Sequence, residues 1–134
     1  MKFLLLIYNE PELLDALPSD EFDSRMRGCL NHADELQGRG KLLESRMLKS
    51  PATAKSVRIR NGRQTTSDGP FAETKEVLGG FNLIEADDME EAVRMAAEFP
   101  WVRTGCVEVR PLEDIEAMRR RVGAAPAVAQ GVGS

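Results

Sequence analysis

The chain has one histidine, His32, two cysteines, one tryptophan and one tyrosine among its 134 residues. Each shortage narrows the field. Two cysteines cannot frame a disulfide scaffold, and a reducing compartment follows. A His/Cys metal site would need more ligands at suitable spacing, and no loop has the spacing of a calcium site, so no metal is expected. No apolar run approaches the roughly 20 residues of a membrane span. The run at 3–8 after Lys2 stops at Asn9-Glu10-Pro11, short of the about 7–15 apolar residues of a secretory signal. A cytoplasmic protein with no membrane partner is expected. No Ser-His-Asp order, phosphate loop or dinucleotide fingerprint is present, and Gly79-Gly80 precedes a strand rather than a helix. No cofactor is therefore expected. Net charge is −4 with both signs mixed, which argues against a nucleic-acid surface. The basic cluster Arg119-Arg120-Arg121 reads as charge at a helix C-terminus.

The remaining composition is that of a folded domain, 42% apolar and 30% charged, long enough to bury a core. The run at 3–8 is apolar without alternation and predicts a central strand buried on both faces. A connection over 9–18 follows. The pattern predicts a helix over 19–39, with Phe22, Met26, Cys29, Leu30, Ala33 and Leu36 as its apolar stripe and glycines at its end. At about 100° per residue His32 falls just outside the edge of that stripe. A second strand is expected over 41–48, with Leu43, Ser45 and Met47 on one face if it is regular. Asn61-Gly62 predicts a hairpin with arms at 55–60 and 63–67. A strand over 80–86 carries Phe81, Leu83 and Ile84. Asp87 or Asp88, each with a glutamate three residues on, starts a second helix, whose stripe is Met89, Ala92, Val93, Ala96 and Phe99. Pro100 stops it. Trp101 opens a loop and plugs the domain edge. The last core strand is expected over 106–110 and a short helix over 114–121. Residues 122–134 lack periodicity and are expected to form a disordered tail. Residues 1–112 thus make one domain, with 113–121 as an appended helix.

This order, β-α-β-(hairpin)-β-α-β, predicts an α+β ferredoxin-like fold, an antiparallel sheet with helices on one face. Helices cover one face only, whereas the first strand looks buried on both. A large apolar sheet is not left to water, so a second copy is expected on the other face, making a homodimer.

Between the hairpin and the next strand lies Thr66-Ser67-Asp68-Gly69-Pro70-Phe71-Ala72-Glu73-Thr74-Lys75-Glu76. Asp-Gly-Pro is turn chemistry, but the polar residues after it are not needed for a core, and polar loops on a scaffold carry sites. The run Asp68 to Glu76, then Gly79-Gly80-Phe81, resembles the signature of the DGPF-type, YCII-related family. Met1-Lys2-Phe3-Leu4-Leu5-Leu6-Ile7-Tyr8 and Val107-Glu108-Val109-Arg110-Pro111 are similar to its flanking strands. The resemblance implies a ferredoxin-like fold that dimerises as an α+β barrel, and a suspected enzymatic role. It also implies a histidine on the first helix acting with an aspartate, and frequent ties to sigma-factor-type transcription proteins.

His32 is the one side chain whose ordinary pKa lies near neutrality, and acid–base work would use it. Its bland alternative is a half-exposed helix histidine. Asp68 can orient an imidazole or merely build its own turn. Lys75 can anchor a carboxylate as a point charge, with Glu73 and Thr74 holding a polar substrate; equally, these residues can be a solvated loop. Ser45 and Arg46 can line a cleft between sheet and helix, and Tyr8 can offer a hydroxyl. Two functions stand. One is a cofactor-independent isomerase or lyase acting on a small organic substrate, with His32 as base, Asp68 as orienter and Lys75 or Arg46 as anchor. The other is a non-catalytic dimeric module that binds a metabolite or a protein.

Overall fold

The structure, a computed structural model, describes residues 1–126. Six strands are present: β1 (Lys2–Asn9), β2 (Leu42–Met47), β3 (Lys55–Arg60), β4 (Arg63–Asp68), β5 (Val77–Glu85) and β6 (Gly105–Pro111). The helices are α1 (Pro11–Asp15), α2 (Ser19–Gly38), α3 (Met89–Ala97) and α4 (Ile115–Val122). Four strands form one sheet in the order β2-β5-β1-β6, every pair antiparallel. This is the ferredoxin-like topology that the element order predicts. The hairpin β3-β4 stands apart as a two-stranded sheet, so it is an arm rather than an extension of the main sheet. Its turn is built by Asn61 and Gly62, at φ of 54° and 73°, the paired positive values of a type I′ hairpin.

Register assigns the faces, since side chains directly opposite one another share a face. Phe3, Leu5 and Ile7 of β1 lie opposite Ile84, Asn82 and Gly80 of β5 and point at the helices, where all are buried. The intervening Leu4, Leu6 and Tyr8 point the other way and are half-buried in the protomer. The non-alternating sequence of β1 therefore gives one dry face and one apolar face that the helices do not cover. A β-bulge between Leu42 and Glu44 interrupts β2. It takes Leu43 out of the expected alternation, while Ser45 and Met47 stay opposite Asn82 and Gly80.

The core lies under the rear of α2 and all of α3. Phe3, Leu5, Ile84, Leu36, Ala92, Met95, Ala96 and Phe99 pack there, with Val107 and Val109 of β6 at its edge. Burying one such large side chain contributes about 1.5–3 kcal/mol. Met95 replaces the expected Val93 in the buried stripe of α3. Val93 and Met89 are exposed, because α3 is only nine residues long and turns a narrow face to β6. Asp88 caps α3: its carboxylate accepts from the Glu91 N–H at 2.8 Å, and Glu91 accepts in return from the Asp87 N–H at 3.2 Å.

Three further features depart from the sequence expectations. The connection over 9–18 holds α1, started by Pro11 in its first turn, the position where a missing N–H costs nothing. β5 begins at Val77 rather than at residue 80. The two cysteines, expected from their places on a helix stripe and a strand start to be small buried or half-buried residues, differ: Cys29 is partly buried and Cys106 is exposed on β6. At the C-terminus α4 is capped by Asp114 and ended by Gly123 at φ 74°; residues 127–134 of the expected tail lie outside the described residues.

Candidate functional site

His32 is not on an open edge of α2. It is 7% exposed and sits in the seam between α2 and α3. Its Nε2–H donates to the Met95 carbonyl at 2.9 Å. Nδ1 faces the Glu98 carboxylate at 3.4 Å. The ring meets Phe99 edge-on with centroids 4.4 Å apart. The Met95 carbonyl belongs to the last turn of α3, where carbonyls run out of intrahelical partners. The Glu98 N–H reaches this carbonyl only at 3.4 Å, and His32 adds a second, shorter donor, so it works as a cap for the end of a neighbouring helix. The helical wheel of α2 alone placed it outside the stripe, since the wheel carries no information about a crossing helix.

Asp68 ends β4 on the arm and is exposed, with Lys55 of β3 as its ion-pair partner. The structure does not bring His32 and Asp68 together: no hydrogen bond or ion pair joins them, and each has partners on its own element or the adjoining one. The loop after Asp68 is tied back to the arm. Gly69, at φ 89°, donates its N–H to the Ala54 carbonyl at 2.8 Å. Ser56 donates to the Gly69 carbonyl at 2.8 Å, and Arg58 to the Phe71 carbonyl at 3.1 Å. Lys75 pairs with Glu10 at 3.3 Å. Thr74 bonds within the loop to the Glu76 carbonyl. Glu73 and Thr74 line a shallow groove with Pro51, Gly69, Pro70 and Val77.

A more apolar concavity lies elsewhere, under the front half of α2. A cavity of about 400 Å³ separates that half-helix from the β2–β5 side of the sheet. Phe22, Met26, Cys29, Leu30 and Ala33 roof it, and Ile7, Ser45, Met47, Gly79, Gly80 and Asn82 floor it. Leu14 and Trp101 close its ends, and Trp101 is held by a tilted contact with Phe22, centroids 5.9 Å apart. The cause is local. At this end of the sheet the helix-facing residues include Ser45, Gly80 and Asn82, which cannot fill the space that Phe3, Leu5 and Ile84 fill at the other. Gly80 cannot be enlarged cheaply, since a Cβ there would lie 2.7 Å from the Arg46 carbonyl. Exposed Leu30, Met47 and Leu48 form an apolar mouth.

One side chain in this cavity is out of place by ordinary packing rules. Asn82 is 2% exposed, and its Oδ1 has no hydrogen-bond partner. A buried polar group left so costs about 1–3 kcal/mol. No carboxylate or imidazole lines the cavity. Arg46 borders it with its carbonyl against Gly80, while the register opposite Phe81 turns its guanidinium to the other face, where it meets Glu44 at 3.1 Å and the Ser45 carbonyl at 3.1 Å. The Cys29 thiol is pushed up from its ordinary value by burial, against which the Trp101 indole N–H acts, so it stays protonated and a poor nucleophile near neutrality.

Of the residues singled out from the sequence, only Ser45 and Arg46 border this cavity. Asn82, Cys29, Met26 and Leu30 are the additions. The signal for Asn82 was present: strand alternation places it with Gly80 and Ile84 on the buried face, where an amide has no packing reason to be. Among the described residues no group of three or more His, Cys, Asp and Glu side chains is placed to hold a metal ion, and no helix is long and apolar enough to cross a membrane.

Comparison with known proteins bears on the family. An uncharacterised protein of Rhizobium meliloti (strain 1021) is 34% identical over 114 residues, which cover 84% of this chain and 92% of that one. Among solved structures, similarity is found to 5-chloro-2-hydroxyhydroquinone dehydrochlorinase from Burkholderia phenoliruptrix AC1100, in complex with 2,5-dihydroxybenzoquinone. That match has 16% identity and a TM-score of 0.46, covering 84% of this chain and 94% of that one. The family profile of the YCII-related domain matches residues 1–116, and the chain belongs to that family.

Proposed function

We propose that this protein is a dimeric module that binds a small, ring-sized organic molecule in the cavity between α2 and the β2–β5 side of the sheet. One observation carries the reading: a cavity of about 400 Å³ with an apolar lining and a buried amide lacking a partner. Such a pocket, mostly apolar with few polar groups, is the usual form of a small-molecule site. The absence of a carboxylate or imidazole from its lining favours binding over proton transfer. The test is a thermal-shift screen of small ring compounds against the wild type and Ser45→Trp. Ser45 is exposed on β2 and borders the cavity, so an indole there fills the space without entering the core. Ligands at a hundred times their Kd stabilise by about 2.7 kcal/mol. Shifts lost in Ser45→Trp support the reading, and shifts unchanged by it contradict it.

The homodimer belongs to the same reading. Leu4, Leu6, Phe81 and Leu83 lie on the face that the helices leave open. Glu44 and Arg46 flank them on β2, and Glu108 and Arg110 on β6. A self-complementary apolar stripe with paired charges on both sides suits a two-fold interface. Leu6→Arg is expected to give monomers in light scattering where the wild type gives dimers.

A catalytic reading stands second: an isomerase or lyase with His32 as base, Asp68 as orienter, and Lys75 or Arg46 as anchor. One contact favours it, since His32 Nδ1 already faces a carboxylate, that of Glu98. It requires the bond from His32 to Met95 to open and Asp68 to leave Lys55. Ligand binding lost in His32→Gln but retained in Ser45→Trp would select it.

A further inference from the structure

Resting on the binding reading above, we infer that the ligand is uncharged and carries a hydroxyl or N–H group, and that Asn82 is the residue that selects for it. The inference starts from the chemistry of the lining. Around the cavity the side chains of Ile7, Leu14, Phe22, Met26, Leu30 and Trp101 offer only apolar surface to a ring. An anion placed there finds no cation, because Arg46, opposite Phe81, turns its side chain to the other face of the sheet. A cation finds no carboxylate. Charge buried without a partner is strongly disfavoured, so both ionic classes are rejected by the same wall.

A wholly apolar ligand fits poorly too. It would leave the Asn82 amide buried and still without a partner for Oδ1. The amide presents one acceptor and two donors, and its two terminal atoms are nearly equivalent in shape. A hydroxyl answers either orientation, because it both donates and accepts. Ser45 lies directly opposite Asn82 across the β2–β5 pair, which puts a second hydroxyl beside the amide at the floor. Asn9 also lines the cavity, but its Oδ1 already accepts from Thr104 at 3.2 Å, so selection is placed at Asn82 and Ser45, and the roof on α2 supplies nonspecific contact. Sites built this way reject the analogue lacking the polar group more sharply than an apolar pocket rejects an extra methylene.

The test uses one positional isomer of naphthol with the matching methylnaphthalene and naphthoate, titrated by ligand fluorescence into wild type, Asn82→Leu and Ser45→Trp. The wild type is expected to bind naphthol about tenfold or more tighter than methylnaphthalene and to bind naphthoate weakest of all. Asn82→Leu is expected to erase or reverse the preference for naphthol while still binding methylnaphthalene. Ser45→Trp is expected to lose all three. If Asn82→Leu keeps the wild-type preference, or naphthoate binds as well as naphthol, the inference on ligand class is overturned while the cavity stands. If Ser45→Trp binds as the wild type does, or no probe binds the wild type, the cavity reading fails and the inference goes with it.

Discussion

His32 and Asn82 are two buried polar side chains under the same helix layer, and they differ in what surrounds them. His32 lies at the rear of α2, where Leu36, Phe99 and Met95 fill the space and both ring nitrogens face a partner. Asn82 lies beneath the front of α2, where the floor residues are small, the space is open and Oδ1 has no partner. A satisfied polar group in a dense seam needs no ligand to account for it. An unsatisfied one beside a cavity calls for a partner, a bound water or a ligand. On the binding reading proposed above, the residue with the more versatile chemistry belongs to the fold, and the plainer amide to the proposed site.

The difference in packing can be broken directly. Phe99→Ala, at the dense end, is expected to cost about 3–5 kcal/mol in urea unfolding. Phe22→Ala, at the cavity, is expected to cost less than half as much, since its neighbours already border open space. Equal costs would mean that the two ends are packed alike.

The polar pair sharpens the contrast with opposite signs. His32→Leu leaves the Met95 carbonyl with the Glu98 N–H alone and is expected to destabilise by about 0.5–1.5 kcal/mol, with ligand affinity unchanged. Asn82→Leu removes a buried amide whose oxygen has no partner. It is expected to stabilise the free protein by about 1 kcal/mol while it removes selectivity for the ligand, the usual exchange between stability and function at a binding site. Destabilisation by Asn82→Leu would indicate that the amide has partners within the fold.

Two smaller effects depend on pH. The raised Cys29 thiol contributes stability that is fully present below the ordinary thiol range of about 8.5 and is lost as pH rises through its folded value. Cys29→Ala is expected to flatten the alkaline slope of the stability profile. Glu91 is shifted the other way, lowered first by its hydrogen bond from Lys41 and then by the Asp87 N–H. Its contribution is present above the ordinary glutamate range of about 4.3 and is lost as pH falls through the lowered value. Lys41→Met is expected to shift the acid limb of the unfolding curve slightly upward.

Local signals carried most of the architecture. The Asn61-Gly62 turn, the Asp88–Glu91 cap, and the apolar runs of β1 and β5 are read within a few residues, and the topology follows from their order. The failures were tertiary. α1 is five residues long, too short for a periodic pattern to show. Val93 and Met89 fit a helical stripe, but α3 rotates Met95 inward instead. His32 lies outside the stripe of its own helix, and its environment is made by the end of α3 and the residues that follow it. The polar loop from Asp68 to Glu76 is rich in functional groups; Asp68 pairs with Lys55 of the arm, Lys75 with Glu10 after β1, and Thr74 bonds within the loop. The cavity was legible only in part. Ser45 and Arg46 were placed at a cleft, but a void caused by Ser45, Gly80 and Asn82 sharing one face requires the β2–β5 register and its bulge, which no single stretch of sequence encodes.

The most direct test of the cavity as the ligand site is an NMR titration of the isotope-labelled wild type with naphthol, following the Asn82 side-chain amide and the side chains around it. The account predicts the largest shifts at the Asn82 NH₂ resonances and at Met26, Leu30 and Leu14, with His32 and Asp68 unmoved. Shifts centred on His32 and Asp68, with Asn82 silent, would contradict it and restore the imidazole to the centre of the function.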